Sequence, residues 1–300
     1  MSEVRSVLIL GATGMLGRAL VAESRRRQVR AVGIARTGAD INVDIRDAAA
    51  LAGVVADVRP DIVINSAAVA SIDDCESDPG LAYLVNARAV SIAAEAANRL
   101  GTYLVQVSTD HYFSGDGARR HTERDPVRLV NEYARCKFAG EQFALTCKGA
   151  LVVRTNVVGF RGQADKPTFV EWALAMLERR AQITLFDDVF VSSIDVRQFS
   201  AAIFDLLPQR PSGVLNVASR DVVSKEAFVS ALAAGLGLGT EHCRAGSVRS
   251  LTGPPRADSL GLDVAQAERL LGRPLPSLKD VVESLVRESR EQARCATTRQ

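Results

Sequence analysis

Metal ligands and disulfide partners are what this chain has least of. Its three histidines lack metal-ligand spacing, and its five cysteines (Cys75, Cys136, Cys147, Cys243, Cys295) are odd in number, scattered and never in a CxxC pair. These absences exclude a zinc site and a disulfide framework, and read as reduced thiols in a cytoplasmic protein. Neither sign of charge dominates. The 37 basic and 35 acidic residues leave a formal charge of +2 with no basic stripe, which excludes a nucleic acid polymer as the main partner. Long hydrophobic runs are missing as well. The apolar run ahead of Gly11 is too short for a signal peptide, and no segment approaches membrane-spanning length, so no membrane partner is expected. Tyrosine and lysine are both scarce, at four and five residues, so a spacing that joins the two is informative.

Apolar residues make up 47% of the 300, enough for a sizeable core in one large α/β unit or a nucleotide-binding domain with a smaller lobe. Ser6–Leu10 reads as a strand that stops at Gly11. GATGMLG follows, with glycines at Gly11, Gly14 and Gly17, and then a helical pattern through Arg27. Strand, glycine turn and helix in that order bring backbone close to a pyrophosphate and aim helix N-terminal amides at it. The same glycines would also serve an ordinary βα turn. A second strand, Arg30–Ala35, ends in Arg36 with Asp40 the nearest acid beyond a Thr-Gly turn. An arginine there suits a 2′-phosphate, and hence NADPH, with NADH the alternative.

Further strands are expected at Asp61–Asn65, Tyr103–Val107 and Ala150–Arg154, with an alanine-rich helix over Leu81–Leu100. This alternation predicts a doubly wound parallel α/β sheet. Beyond Gly159 it loosens: helices at Thr168–Glu178, Val196–Leu207 and from Ser224, strands at Gln182–Phe186 and Gly213–Val217, and a last helix from Ser277 through Gln292, with Ala293–Gln300 frayed. The expected division is a nucleotide-binding domain over 1–157 and a smaller lobe over 158–300, which returns to the main sheet at about 182–217.

Tyr133 and Lys137 stand four apart in NEYARCKFAGE and leave one face of a helix a turn apart. Ser108 and Thr109 close the strand Tyr103–Val107, at the sheet end where α/β folds bind ligands.

Together GATGMLGRAL, NSAAVASIDDCE, VNA, STDHYFSG, YARCKFAGE and RT, in this order and spacing, resemble the extended short-chain dehydrogenase/reductases, and within them the dTDP-4-dehydrorhamnose reductase family. The resemblance implies a Rossmann-type NAD(P)H domain, a C-terminal lobe holding a nucleotide-linked sugar, and room for a homodimer. It makes Tyr133 the general acid, Lys137 its partner and Thr109 the hydroxyl on the sugar carbonyl. Lys137 is expected to draw the phenol's pKa down and to donate to the nicotinamide ribose. For the cofactor it implies Gly11, Thr13, Gly14, Met15, Leu16, Gly17, Arg36, Asp44, Ile45, Ala67 and Ala68, beside Tyr133 and Lys137. For the substrate it implies Ser108, Thr109, His111, Tyr133 and Asn156.

The sequence departs from the family pattern at two places. His111 and Tyr112 replace its Tyr-Val, and Asn156-Val157 replace a serine followed by an aromatic. In the resemblance both would face the sugar. A dehydratase would carry an Asp-Glu pair after the threonine, and here Asp110 is followed by His111. The expected activity is thus reduction of a nucleotide-activated 4-keto-6-deoxy sugar. The alternatives are an NAD-dependent 4-epimerase and a non-catalytic dinucleotide-binding regulatory subunit.

Overall fold

The computed structural model describes residues 4–163 and 165–297. Six strands are named here in chain order: β1 (Ser6–Leu10), β2 (Arg30–Ala35), β3 (Ile41–Asn42), β4 (Ile62–Asn65), β5 (Tyr103–Val107) and β6 (Leu151–Arg154). With the strand Gly213–Asn216 they form one seven-stranded sheet, ordered from that strand through β6, β5, β4, β1, β2 to β3. Every pairing in it is parallel. The chain order reverses between β1 and β4, so a crevice opens outside the carboxyl ends of those two strands.

The period-2 alternation of each strand divides the core between two faces. Val7, Ile9, Ile62 and Ile64 pack with Leu16 and Leu20 of α1 (Met15–Arg26) and with Phe199 and Ile203 of the helix Val196–Leu206. Leu8, Leu10 and Val63 pack on the other face with Leu51 and Val55 of α2 (Ala48–Val58) and the alanines of the helix Ala89–Leu100. Small alanine side chains let that helix lie close to the sheet. The expected single helix over Leu81–Leu100 is interrupted by a π-helical turn at Leu84–Arg88. A Cβ on Gly140 of the helix Glu132–Leu145 would come within 2.2 Å of the Asn86 carbonyl in that turn, so the two segments are in backbone contact.

A third cluster joins Val170 and Leu174 of the helix Phe169–Glu178, Phe228 and Leu232 of Lys225–Leu236, and Val281 and Leu285 of Leu278–Thr297. Local chemistry sets these helix starts. Thr168 and Glu171 form a capping box, Ser224 caps the second helix, and Ser277 and Asp280 bond each other at the third.

Two expectations need correction. Of the stretch 182–217, Gly213–Asn216 joins the main sheet, but Thr184–Phe186 pairs with Arg244–Gly246 because its buried Leu185 belongs to the third cluster. The last helix is not frayed from Ala293: it continues to Thr297 through the strong helix formers Glu291–Arg294. Residues 298–300 lie outside the described residues.

Candidate active site

A cavity of about 290 Å³ sits at the switch point, lined by the end of β5 and by the segments that follow β1, β4, β5 and β6. One wall is backbone. Gly14, Met15, Leu16 and Gly17 line it at the start of α1, opposite Ser66, Ala68 and Ala70 after β4. Gly14 caps α1 without a side-chain hydrogen bond, so the first-turn amides carry no capping side chain of their own. The turn is closely packed. Gly11 has φ +80°, and a Cβ there would lie 2.8 Å from the Ala67 backbone; one on Gly17 would lie 2.0 Å from the Gly11 carbonyl oxygen. Uncapped amides in a cradle with no room for side chains fit the pyrophosphate of a dinucleotide.

The other wall is side chain: Ser108, Thr109, Asp110, His111, Tyr133, Lys137, Thr155 and Asn156 all line the cavity. Tyr133 is positioned by its helix. Asn131 caps that helix by accepting from the Ala134 N–H at 2.8 Å, and its own amide donates to the Pro255 carbonyl at 2.9 Å. Tyr133, Lys137 and Glu141 then fall on one buried face. Glu141 forms a buried ion pair with Arg154 at 2.9 Å, and the Arg154 guanidinium lies 5.1 Å over the Tyr112 ring. The Tyr112 hydroxyl shares a hydrogen bond with Ser108 at 3.1 Å, so Ser108 is engaged inward.

Burial dominates the electrostatics. It raises the Tyr133 phenol above its ordinary range, and a hydrogen bond with Thr109 partly opposes this. Burial also lowers the Lys137 ammonium to about 8, with Glu141 opposing. Lys137 Nζ donates to the Val107 carbonyl at 2.7 Å. The expectation that Lys137 draws down the Tyr133 pKa is therefore corrected. The helical spacing puts both on one face, but the lysine reaches the end of β5 while the phenol meets Thr109. Asp110 is pushed up to about 7 by burial, and His111 down to about 3 by burial, Lys225 and Arg256. The His111 Nδ1 and Thr155 Oγ1 atoms are buried without a partner, so the wall retains unused polar capacity.

The residues expected for catalysis and for the substrate all meet in this cavity. Of those expected for the cofactor, Gly14–Gly17, Ala68, Tyr133 and Lys137 line it, while Gly11 packs against Gly17 and Ala67 against Gly11. Thr13, Arg36, Asp44 and Ile45 stand outside its lining. Arg36 is exposed at the end of β2, near Asp44, whose carboxylate is held by Arg46 and lowered to about 2. Ile45 packs into the core. The lining residues Ser66, Ala70, Val107, Asp110, Thr155, Val157 and Arg161 are not among the expected site residues, nor is Lys225, which acts on Asp110 and His111 from outside the lining. Asp110 stands in the STDH stretch beside Thr109 and could have been found there; Lys225 had no such mark. Among the described residues no group of three or more His, Cys, Asp or Glu side chains could hold a metal ion, and no helix is long and apolar enough to cross a membrane.

Sheet order, glycine turn and Tyr-Lys helix together are those of an extended short-chain dehydrogenase/reductase. The family described as RmlD substrate binding domain matches residues 5–291, and the chain belongs to it. The spore coat polysaccharide biosynthesis protein SpsK of Bacillus subtilis (strain 168) is 29% identical over 235 residues, 78% of this chain and 80% of that protein. A dTDP-4-dehydrorhamnose reductase of Streptomyces griseus is 38% identical over 138 residues, 46% of this chain and 44% of that protein, so that match spans under half of each. A solved dTDP-4-dehydrorhamnose reductase from Bacillus anthracis str. Ames, in complex with NADP, has a TM-score of 0.85 and 25% identity, covering 95% of this chain and 100% of that one.

Proposed function

We propose that this protein reduces the 4-keto group of a nucleotide-linked 6-deoxy sugar to an alcohol, with NADPH as the reductant. The observation that carries the reading is that Tyr133, Lys137 and Thr109 converge across one cavity from the glycine turn. When bound, the reduced nicotinamide supplies hydride to the carbonyl carbon. The protein's own residues do the rest. Thr109 donates a hydrogen bond to the carbonyl oxygen, and Tyr133 transfers its proton to that oxygen as negative charge develops. A neutral, buried phenol keeps its proton until an alkoxide forms beside it. Lys137, anchored on Val107, contributes a positive charge at the cofactor side.

Arg36 supports NADPH, because β2 ends in this exposed cation and Asp40, the nearest acid, accepts from the Gly33 N–H at 2.7 Å. The relative solved with NADP accords with this choice. On the substrate side, Lys225 has no carboxylate within ion-pair distance among the described residues; its Nζ lies 5.4 Å over the Phe169 ring. Arg256, bonded to Asp73 at 3.0 Å, acts on both Lys225 and His111. Two cations beside a neutral imidazole suit the diphosphate of a nucleotide sugar. The proposal places the protein in the cytoplasm, where the buried thiols of Cys75, Cys136 and Cys147 stay reduced.

The test is NADPH oxidation against a panel of nucleotide-linked 4-keto sugars, with product configuration read by NMR. Oxidation coupled to one of them is expected. Binding of NADPH without reduction of any keto sugar would defeat the reading, and NAD retained through purification would favour the 4-epimerase.

A further inference from the structure

Among the described residues Asp110 is the one carboxyl in the cavity lining, and the reduction just described gives it no task. Its surroundings are specific. One oxygen, Oδ2, accepts from Asn156 Nδ2 at 2.6 Å. The Asn156 amide is oriented from behind, because its Oδ1 accepts from the Ser193 hydroxyl at 3.1 Å. Oδ2 is therefore an acceptor whether or not Asp110 is ionised, and a proton on this carboxyl belongs on Oδ1. Oδ1 faces the Thr109 hydroxyl at 3.4 Å.

Thr109 has one hydrogen to give and two lone pairs. One lone pair accepts from the His111 N–H at 3.2 Å. The hydrogen has competing takers: Asp110 Oδ1 on one side, the Tyr133 oxygen and the sugar carbonyl on the other.

We propose that Asp110 is a positioning residue that decides where the Thr109 hydrogen points. Protonated, it donates to the second Thr109 lone pair and leaves the Thr109 hydrogen for the reacting carbonyl. Ionised, it draws that hydrogen to itself, and the carbonyl loses its donor. Asp110 thereby acts on the substrate through Thr109, without touching the reacting atoms.

The groups facing Asp110 make its ionisation responsive near neutrality. Burial disfavours the charged form and raises the carboxyl to about 7; the Asn156 hydrogen bond, the Lys225 ammonium and Thr109 pull the other way. From the helix Glu132–Leu145 it faces the Tyr133 phenol. From its own loop it faces His111, whose imidazole is neutral in this range. Lys137 lines the same cavity, and Arg256 acts on Lys225 from the segment beyond. A carboxyl raised in this way holds its proton below pH 7 and loses it above, so the productive arrangement is the low-pH one.

The inference rests on the reductase reading, and its test separates the two. The kcat of reduction is measured across pH 5–9 for the unaltered protein, Asp110→Asn and Asn156→Ala. In the unaltered protein kcat falls through about pH 7, roughly tenfold per unit, toward a level about a hundredfold lower that reflects loss of one donor. Asp110→Asn keeps an N–H aimed at Thr109 at every pH, so this limb disappears and only the later one from Lys137, near 8, remains. Asn156→Ala removes a hydrogen bond that favours the ionised form, so the limb moves to higher pH. An unchanged limb in Asp110→Asn, or a limb that stays or moves down in Asn156→Ala, overturns the proposal.

Carboxyl carbon NMR of the aspartate-labelled full chain needs no substrate. One aspartate titrating near 7, absent in Asp110→Asn or shifted upward in Asn156→Ala, supports the arrangement. A chain whose aspartates all titrate below 5 refutes it. If no keto sugar is reduced, the reductase reading fails, while the carboxyl titration still judges Asp110.

Discussion

The two walls of the cavity solve different problems with different materials. The α1 side offers amides and small residues: Gly14–Gly17, Ser66, Ala68 and Ala70. The opposite side offers titratable and polar side chains from β5, β6 and the helix Glu132–Leu145, with Lys225 near them. A diphosphate common to all dinucleotides needs shape and N–H groups, which backbone supplies without regard to the rest of the sequence. A particular sugar and a proton transfer need individual pKa values and distances, which only side chains supply. The backbone wall should therefore fail through geometry and the side-chain wall through chemistry.

Four substitutions bear on that contrast, from the largest effect to the smallest. Tyr133→Phe removes the transferable proton together with the oxygen that meets Thr109, so kcat should drop about 100- to 10,000-fold with NADPH affinity within about twofold. A parallel loss of NADPH binding, measured by fluorescence titration, would break the division between the walls. Gly17→Ala puts a methyl group 2.0 Å from the Gly11 oxygen. Overpacking of this kind destabilises by about 1–3 kcal/mol, and NADPH binding should weaken while the pH profile of residual turnover stays unchanged. A normal melting temperature with normal NADPH affinity would show that the turn is looser than its contacts imply. Lys225→Met should raise KM for the nucleotide sugar and the inhibition constant of the nucleoside diphosphate by about tenfold, the worth of a charge-assisted hydrogen bond, with the affinity for NADPH unmoved. Unaltered inhibition by the nucleoside diphosphate would take Lys225 out of the substrate wall. Arg36→Ala should weaken NADPH roughly fivefold against an unchanged NADH, the scale of an exposed ion pair of about 1 kcal/mol. Equal effects on both cofactors would remove Arg36 from 2′-phosphate recognition.

The same contrast explains what the sequence could disclose. β1, β2 and β5 match their expected spans residue for residue, because a buried parallel strand is a compact apolar run and its ends are punctuated locally. The glycine turn was legible for the same reason: its three glycines, and the contact of Gly17 with the Gly11 carbonyl, lie within seven consecutive residues, although Gly11 also meets the Ala67 backbone. Tyr133 and Lys137 were legible as a helical pair, but their electrostatics were not. Whether an ammonium meets a phenol or the Val107 carbonyl depends on a strand 30 residues away. β3 has two residues and exists through its pairing with Ile34 and Ala35, so no periodicity could announce it. Lys225 opens a helix with a serine cap, an arrangement that reads as surface. Only the fold brings it near Asp110 and His111.

The pairing of Gly213–Asn216 with β6 has a consequence for how the chain must be made. A fragment ended after residue 157 would hold the glycine turn and every residue of the proposed chemistry, yet β6 would be left as an open margin. Its main-chain donors and acceptors would be ready to recruit a foreign strand. On the ribosome, the Rossmann half stays unsealed until residue 216 has emerged. A nascent chain stalled before that point should need a chaperone, although Thr109, Tyr133 and Lys137 have already been made.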